Sequence, residues 1–269
     1  YARGHVPMIS PAATNPEVTR QQLSPDWTGP KIVFRVVPTD DVQGAYAAEF
    51  VFSKLGKKKM SLLHDKTPYG QGLAEQFQRT YLEQGGQIVS SDGVSIGDKD
   101  FKALLTRLKS VAADGVYFGG LYPEGGLIIK QMRELGMGQI FVSGDGSRTP
   151  GLIDVAGDSA EGAYATMVGV PVELLAAASQ FVADYKQRWK GADEEMKPFD
   201  HFGYEAAEII FEALSKTGPD RDKLAQALRQ TKYAGVLGTT VFDEKGDTLN
   251  KTITMTQARV KDRSFPVVK

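Results

Sequence analysis

From its start to the neighbourhood of Val168, the chain alternates short apolar runs with longer amphipathic stretches, and this constrains its fold more than any other feature. Val6–Ile9, Ile32–Val37, Met60–His64, Ile88–Ser90, Val116–Phe118, Ile140–Val142 and Ala163–Val168 are short and rich in β-branched or aromatic residues, as buried strands require. Between them, 43–55, 72–84, 99–112 and 124–135 repeat apolar residues at helical spacing: Ala47, Phe50, Val51 and Leu55 in the first, and Phe101, Leu104, Leu105, Leu108 and Val111 in the third. Strand and helix in strict succession predict βαβ units around a parallel sheet. After Pro171 the pattern changes to three helices, over 172–189, 201–216 and 220–231. A β-rich end follows, with Thr239–Phe242, a turn at 243–247, and a strand over 252–259 whose Thr252, Thr254 and Thr256 predict a solvated face. Pro38–Asp41 and Gly169–Pro171 are candidate crossings between two lobes or, equally, ordinary surface loops.

Composition excludes several classes of function. With 32 basic and 33 acidic residues, the chain gives no electrostatic reason to expect nucleic acid or an anionic membrane as partner. The absence of cysteine removes disulfide, thiolate and iron–sulfur chemistry, and three histidines (His5, His64 and His201) argue against a histidine metal centre. No run approaches the ~18 apolar residues of a membrane span, so no membrane insertion is expected.

Familiar catalytic motifs are missing. Gly70-Gln71-Gly72 follows a strand, but Glu75 stands where a dinucleotide fingerprint needs its third glycine, which argues against a nucleotide-dependent enzyme. His64-Asp65 are neighbours at a strand end and point apart, so His64 is read as a loop cap. Asp40-Asp41, Asp243/Glu244/Asp247 and Asp193-Glu194-Glu195 lack calcium-loop spacing and are read as solvated turns. Asn250-Lys251-Thr252 fits a glycosylation sequon, a pattern short enough to arise by chance. No cofactor is expected.

Polar and small residues gather instead just after the strands, where parallel α/β sheets bind ligands. Ser10-Pro11-Ala12-Ala13-Thr14 lets a ligand approach the main chain, and Thr14 adds a hydroxyl. Asp65–Gly70, Gly119–Glu124 and Ser143–Gly146 follow the next strands. Asp145, flanked by glycines, is either a site acid on an open loop or a turn residue of the kind Asp-Gly favours.

Val6–Glu17, His64–Gly72, Tyr117–Glu124, Ser159–Gly162 and Phe242–Asp247 together resemble, in order and spacing, the periplasmic leucine/isoleucine/valine-type binding proteins of ABC transporters. The resemblance implies an α/β, two-lobed (Venus-flytrap, type I) fold, each lobe a parallel sheet flanked by helices. Residues 1–37 and 170–249 would form the first lobe, and 38–169 with 250–269 the second. The opening Tyr1–His5 reads as a helix end, so the first lobe is expected to be incomplete, by roughly 90 to 100 residues at about 30 per βαβ unit; a clipped tag is the alternative. The family resemblance further implies capture of an aliphatic amino acid, delivery to a membrane permease, and a periplasmic location. Thr14 and the Ala12 carbonyl would meet the amino acid's backbone. Asp145, where the family typically has Glu, would meet its ammonium. Tyr69 and Phe199 would line the side-chain pocket with either Leu121 or Tyr122. A receptor ectodomain of the same fold, or a binder of aromatic acids, is the nearer alternative.

Overall fold

A computed structural model describes residues 4–190 and 196–268; the helix end expected at Tyr1–His5 and the turn at Asp193-Glu194-Glu195 therefore fall wholly or partly outside the described residues. The chain divides into two compact units, 1–39 with 169–252 and 40–168 with 253–269.

The larger unit is built on a six-stranded sheet. Its strands are β3 (Lys59–His64), β4 (Gln87–Gly93), β5 (Gly115–Gly119), β6 (Ile140–Ser143), β7 (Tyr164–Val168) and β10 (Ile253–Gln257), in the order β10-β7-β6-β5-β3-β4. All neighbours are parallel except β10, which runs antiparallel to β7. Helices α2 (Asp40–Glu49), α3 (Pro68–Glu83), α4 (Lys102–Ser110), α5 (Tyr122–Glu134) and α6 (Pro150–Ala156) connect them. Helices cover a parallel sheet on both faces, which is why β5 is buried at every position and carries no polar alternation. One apolar layer gathers Leu105, Phe118, Ile128, Met132 and Phe141. The other stacks Phe77 on Tyr117, with ring centroids 3.9 Å apart, among Leu62, Leu73 and Val142. Because β3, β5 and β6 are parallel neighbours, the loops leaving their carboxyl ends emerge together.

The smaller unit pairs β1 (Met8–Ser10) with β2 (Val33–Arg35) in parallel, Ser10 opposite Arg35. It adds the short helix α1 (Glu17–Arg20), helices α7 (Ser179–Arg188), α8 (Asp200–Thr217) and α9 (Arg221–Arg229), and an antiparallel hairpin of β8 (Lys232–Gly235) and β9 (Gly238–Val241).

Several expectations need correction. The helix expected over 172–189 starts only at Ser179, after two 3-10 turns at Val172–Leu174 and Ala176–Ala178. The helix after β2 switches from α to π geometry over Phe50–Lys54. Thr256 is not solvated: it is buried, and its hydroxyl donates to the Ala165 carbonyl at 2.7 Å, so of the three threonines only Thr252 is exposed, with Thr254 half-buried. Asp40 is no solvated turn either; it opens α2 and is buried, accepting from Gln43 Nε2 at 3.0 Å. Asp247 is also buried, for a reason that emerges at the site. Among the described residues no helix is long and apolar enough to cross a membrane, and no cluster of His, Cys, Asp or Glu could hold a metal ion.

Candidate functional site

Candidate residues fall on both units, and each group has its own construction. In the larger unit, β3 ends at His64, and His64 Nδ1 accepts from the Lys66 amide at 3.2 Å, the loop-capping arrangement. Asp65 Oδ1 then accepts from both the amide and the hydroxyl of Thr67, at 2.9 and 2.6 Å, while Thr67 caps α3 by accepting from the Gly70 amide. With Pro68 fixing the first helical position, Tyr69 is set at the base of α3, facing the loop after β6.

There its hydroxyl donates to Asp145 Oδ1 at 2.8 Å and accepts from the Gly146 amide at 3.0 Å. The Asp145 amide donates in turn to Gln43 Oε1 at 2.8 Å, and Thr166 Oγ1 donates to the same oxygen at 2.5 Å. Burial raises the Asp145 carboxyl above its ordinary value, partly offset by these hydrogen bonds. Burial, with Asp145 and Asp40 nearby, also lifts the Tyr69 phenol far above its usual range, so it remains a donor.

Asp145 is therefore not on an open loop. It is only 8% exposed, and the flanking glycines answer crowding rather than openness. A Cβ on Gly144 would stand 2.3 Å from Leu73, and one on Gly146 would stand 2.8 Å from the Tyr69 hydroxyl. The loop is tied to the end of β5 through Ser143 Oγ to the Phe118 carbonyl (2.7 Å), Ser143 to Ser147 (2.8 Å), and Ser147 to the Gly120 carbonyl (3.3 Å).

Geometry also separates Leu121 from Tyr122. A Cβ on Gly146 would lie 2.9 Å from Leu121 Cδ2, so Leu121 stands beside the Asp145 loop. The Tyr122 ring lies instead against Gly151 at the start of α6. Tyr69, Leu121 and Asp145 are thus brought together, and Tyr122 is directed to the helix.

In the smaller unit, Ser10 Oγ accepts from the Ala12 and Ala13 amides, at 3.4 and 2.9 Å, curling the chain into a tight loop after β1. The Thr14 hydroxyl is not sealed from solvent, but the residue is only 2% exposed and, among the described residues, its amide finds no hydrogen-bond partner. Buried polar groups in that condition are rare unless something else satisfies them. Behind the loop lies Arg35, fully buried and paired with Asp247 at 2.5 Å. Phe199, at the amino-terminal edge of α8, is half-buried and packs on Phe202 with ring centroids 6.1 Å apart.

Four participants escape the sequence reading: Gln43, Thr166, Arg35 and Asp247. Two left a signal. Gln43 lies four residues before Ala47 and eight before Val51, on the buried face of α2, and Arg35 is the one charged residue inside an apolar strand run. Asp247 and Thr166 left none, since an acid in a polar turn and a threonine in a strand are both ordinary.

The larger unit is thus a parallel α/β sheet, covered by helices on both faces, with a buried acid beyond its strand ends, and it is joined in sequence to a second unit that carries Thr14. A profile of the periplasmic binding protein family matches residues 1–264, and the chain belongs to that family. Among curated relatives, Leu/Ile/Val-binding protein homolog 1 of Brucella suis is 36% identical over 249 residues, covering 92% of this chain and 64% of that protein. The leucine-, isoleucine-, valine-, threonine-, and alanine-binding protein of Pseudomonas aeruginosa is 33% identical over 257 residues, covering 93% and 64%. The chain thus spans just under two thirds of the length of these relatives. Among solved structures, a leucine binding protein of Thermotoga maritima superposes with a TM-score of 0.88 at 31% identity, covering 100% of this chain and 73% of that one. A branched-chain amino acid transporter substrate binding protein of Streptococcus pneumoniae, in complex with isoleucine, gives 0.84 at 28% identity, covering 99% and 74%.

Proposed function

We propose that this chain binds an aliphatic amino acid, of the branched-chain kind, outside the cytoplasm for delivery to an ABC-transporter permease, and carries out no catalysis. On this reading 1–37 with 170–249 and 38–169 with 250–269 are two lobes, and each carries candidate ligand-binding residues. One observation carries the reading. Asp145 is a buried carboxylate that forms no ion pair among the described residues, and a buried charge left so is costly. A cationic ligand group resolves the cost, and an amino acid's ammonium is of the right size and charge. A plain carboxylic acid would meet repulsion there, which disfavours the aromatic-acid alternative.

The rest follows the dipole of the ligand. The Thr14 amide and hydroxyl serve the carboxylate, and the Ala12 carbonyl accepts from the ammonium. Leu121, Tyr69 and Phe199 offer apolar surface to the side chain. These partners replace the water that a zwitterion loses on entry, and a ligand that prefers a closed arrangement of the lobes shifts their population towards it. Relatives whose names state leucine, isoleucine and valine binding support the choice of side chain.

The test is calorimetric titration of the chain with L-leucine, L-isoleucine, L-valine and benzoate, beside the Asp145→Ala variant. Heats are expected for the three amino acids and none for benzoate. Loss of the charged partner should cost about 2–5 kcal/mol of binding. Near-normal leucine affinity in Asp145→Ala would refute the role assigned to this residue.

A further inference from the structure

The Arg35 guanidinium has five N–H groups, and every one is used. Nε donates to Asp247 Oδ1 at 2.5 Å. Nη1 donates to the carbonyls of Ala13 (3.0 Å) and Asn15 (2.7 Å), and Nη2 to the Pro16 carbonyl (3.2 Å) and Thr19 Oγ1 (2.6 Å). Thr19 completes the circuit by donating its hydroxyl to Asp247 Oδ1 at 2.7 Å. Three of the five acceptors are main-chain carbonyls within four consecutive residues of the loop after β1.

That pattern fixes where the opposite ends of the same peptides point. All peptide bonds among the described residues are trans, and in a trans peptide the N–H is antiparallel to the preceding C=O. With the Ala13 carbonyl drawn onto Arg35, the Thr14 N–H is aimed away from the guanidinium. Of the other two carbonyls held by Arg35, one precedes Pro16, which has no N–H, and the other precedes the Glu17 amide, which donates to Asn15 Oδ1 at 2.8 Å. The Ala12 and Ala13 amides are taken by Ser10. One outward-directed amide without a partner among the described residues is left, beside the hydroxyl of the same residue, and both belong to Thr14.

Asp247 is itself delivered to this position. Asp243 Oδ1 accepts from the amides of Lys245 and Asp247, at 2.9 Å each, and closes the turn that places Asp247 beside Arg35. The segment 246–248 flanks β2 on the side away from β1: the Arg35 amide donates to the Gly246 carbonyl at 2.9 Å, and the Thr248 amide to the Arg35 carbonyl at 3.1 Å.

We propose that Arg35, held by Asp247, is the positioning residue of the carboxylate half-site, gathering loop carbonyls behind Thr14 so that its amide and hydroxyl face an anionic ligand group. The proposal rests on the amino-acid-binding reading for the identity of that group, but the ordering of the loop stands independently of it.

Arg35→Lys keeps the charge with three donors in place of five, and Asp247→Asn keeps the shape while removing the charge. In the whole chain, two readouts are taken below the melting temperature. The first is exchange of the Ala13, Glu17 and Val18 amides, each hydrogen-bonded within the loop, relative to amides of β3 and β5. The second is the affinity ratio of L-leucine to L-leucinamide, which lacks the carboxylate.

Loop exchange should quicken by about tenfold or more in both variants with the sheet unchanged, and the leucine-to-leucinamide ratio should fall by about tenfold. A role confined to holding the fold would lower the melting temperature and leave loop exchange and the ratio at wild-type values, which overturns the proposal. If the wild-type chain binds no amino acid, the functional reading falls, and loop exchange alone decides the part played by Arg35.

Discussion

Asp145 keeps its proton to higher pH than an ordinary carboxyl because burial outweighs the hydrogen bonds that favour its charged form. Two consequences of opposite kind follow. In the free protein the native state binds more protons than the unfolded chain between the unfolded pKa and the raised folded one. Stability therefore falls as pH rises through that window and is level above it. An ammonium ligand favours the carboxylate, so binding expels the remaining proton, and affinity weakens as pH drops through the raised pKa. Asp145→Asn should be at least as stable as wild type at neutral pH and lose this pH dependence along with most of its affinity. Titrations in buffers of differing ionisation heat would show proton release in wild type and none in the variant. Tyr69→Phe should weaken leucine binding by about 1–3 kcal/mol, because the Gly146 amide loses its acceptor and Asp145 its donor, as calorimetry would read. At this scale the sequence was only partly legible. The glycines marking Asp145 were visible, but their meaning was inverted, because sequence shows small residues and not the Tyr69 and Leu73 side chains that fill the space. Arg35 and Asp247 stand 212 positions apart, and no local pattern announces such a pair.

Elements were more legible than their ends. Every strand of the larger unit's sheet was visible: β5, covered on both faces, declares itself by unbroken hydrophobicity, whereas the edge strand β4 showed as a short apolar run and antiparallel β10 by alternation. β8, over Lys232–Gly235, was missed because it is only four residues long and none of them is buried. The break between Pro171 and Ser179 was read as helix because its leucines and alanines suit one, whereas the backbone there closes into single 3-10 turns. Gly70 belongs at this scale. It appeared as a fragment of a phosphate-binding motif, but its function is contact between elements: a Cβ on it would lie 2.4 Å from the Gly119 carbonyl, and one on Gly119 would lie 2.0 Å from the Gly70 carbonyl. The first turn of α3 rests backbone-to-backbone on the end of β5, and that contact sets Tyr69 over the Asp145 loop. Gly119→Ala should destabilise the larger unit by about 1–3 kcal/mol through overpacking that rigid backbone cannot relieve. Urea denaturation followed by the fluorescence of that unit's tyrosines would measure it, and an unchanged midpoint would remove the contact from the account.

On the scale of the whole molecule, the two units differ in what holds them. The larger one packs two extensive apolar layers on a six-stranded sheet, while the smaller has only two-stranded sheets around its buried Ile32, Phe34, Val37, Ile209 and Leu228, with Arg35 and Asp247 providing a polar centre. Opening of the smaller unit should therefore precede global unfolding, giving amide exchange with two levels of protection rather than one. Ligand then discriminates between binding schemes. At a concentration of 100 times Kd a native-state ligand adds about 2.7 kcal/mol to the state that binds it. If leucine engages Thr14 as well as Asp145, opening of the smaller unit abolishes half the site, and leucine should suppress that opening by roughly the factor this energy implies, about 100-fold. If leucine were held by Asp145, Tyr69 and Leu121 alone, exchange in the smaller unit would be the same with and without it, while the larger unit gained protection. Amides of β1, α8 and β9, measured in saturating leucine and in its absence, separate the two: protection gained in both units is what a shared dipolar ligand requires, and protection confined to the larger unit would restrict the site to the Asp145 loop.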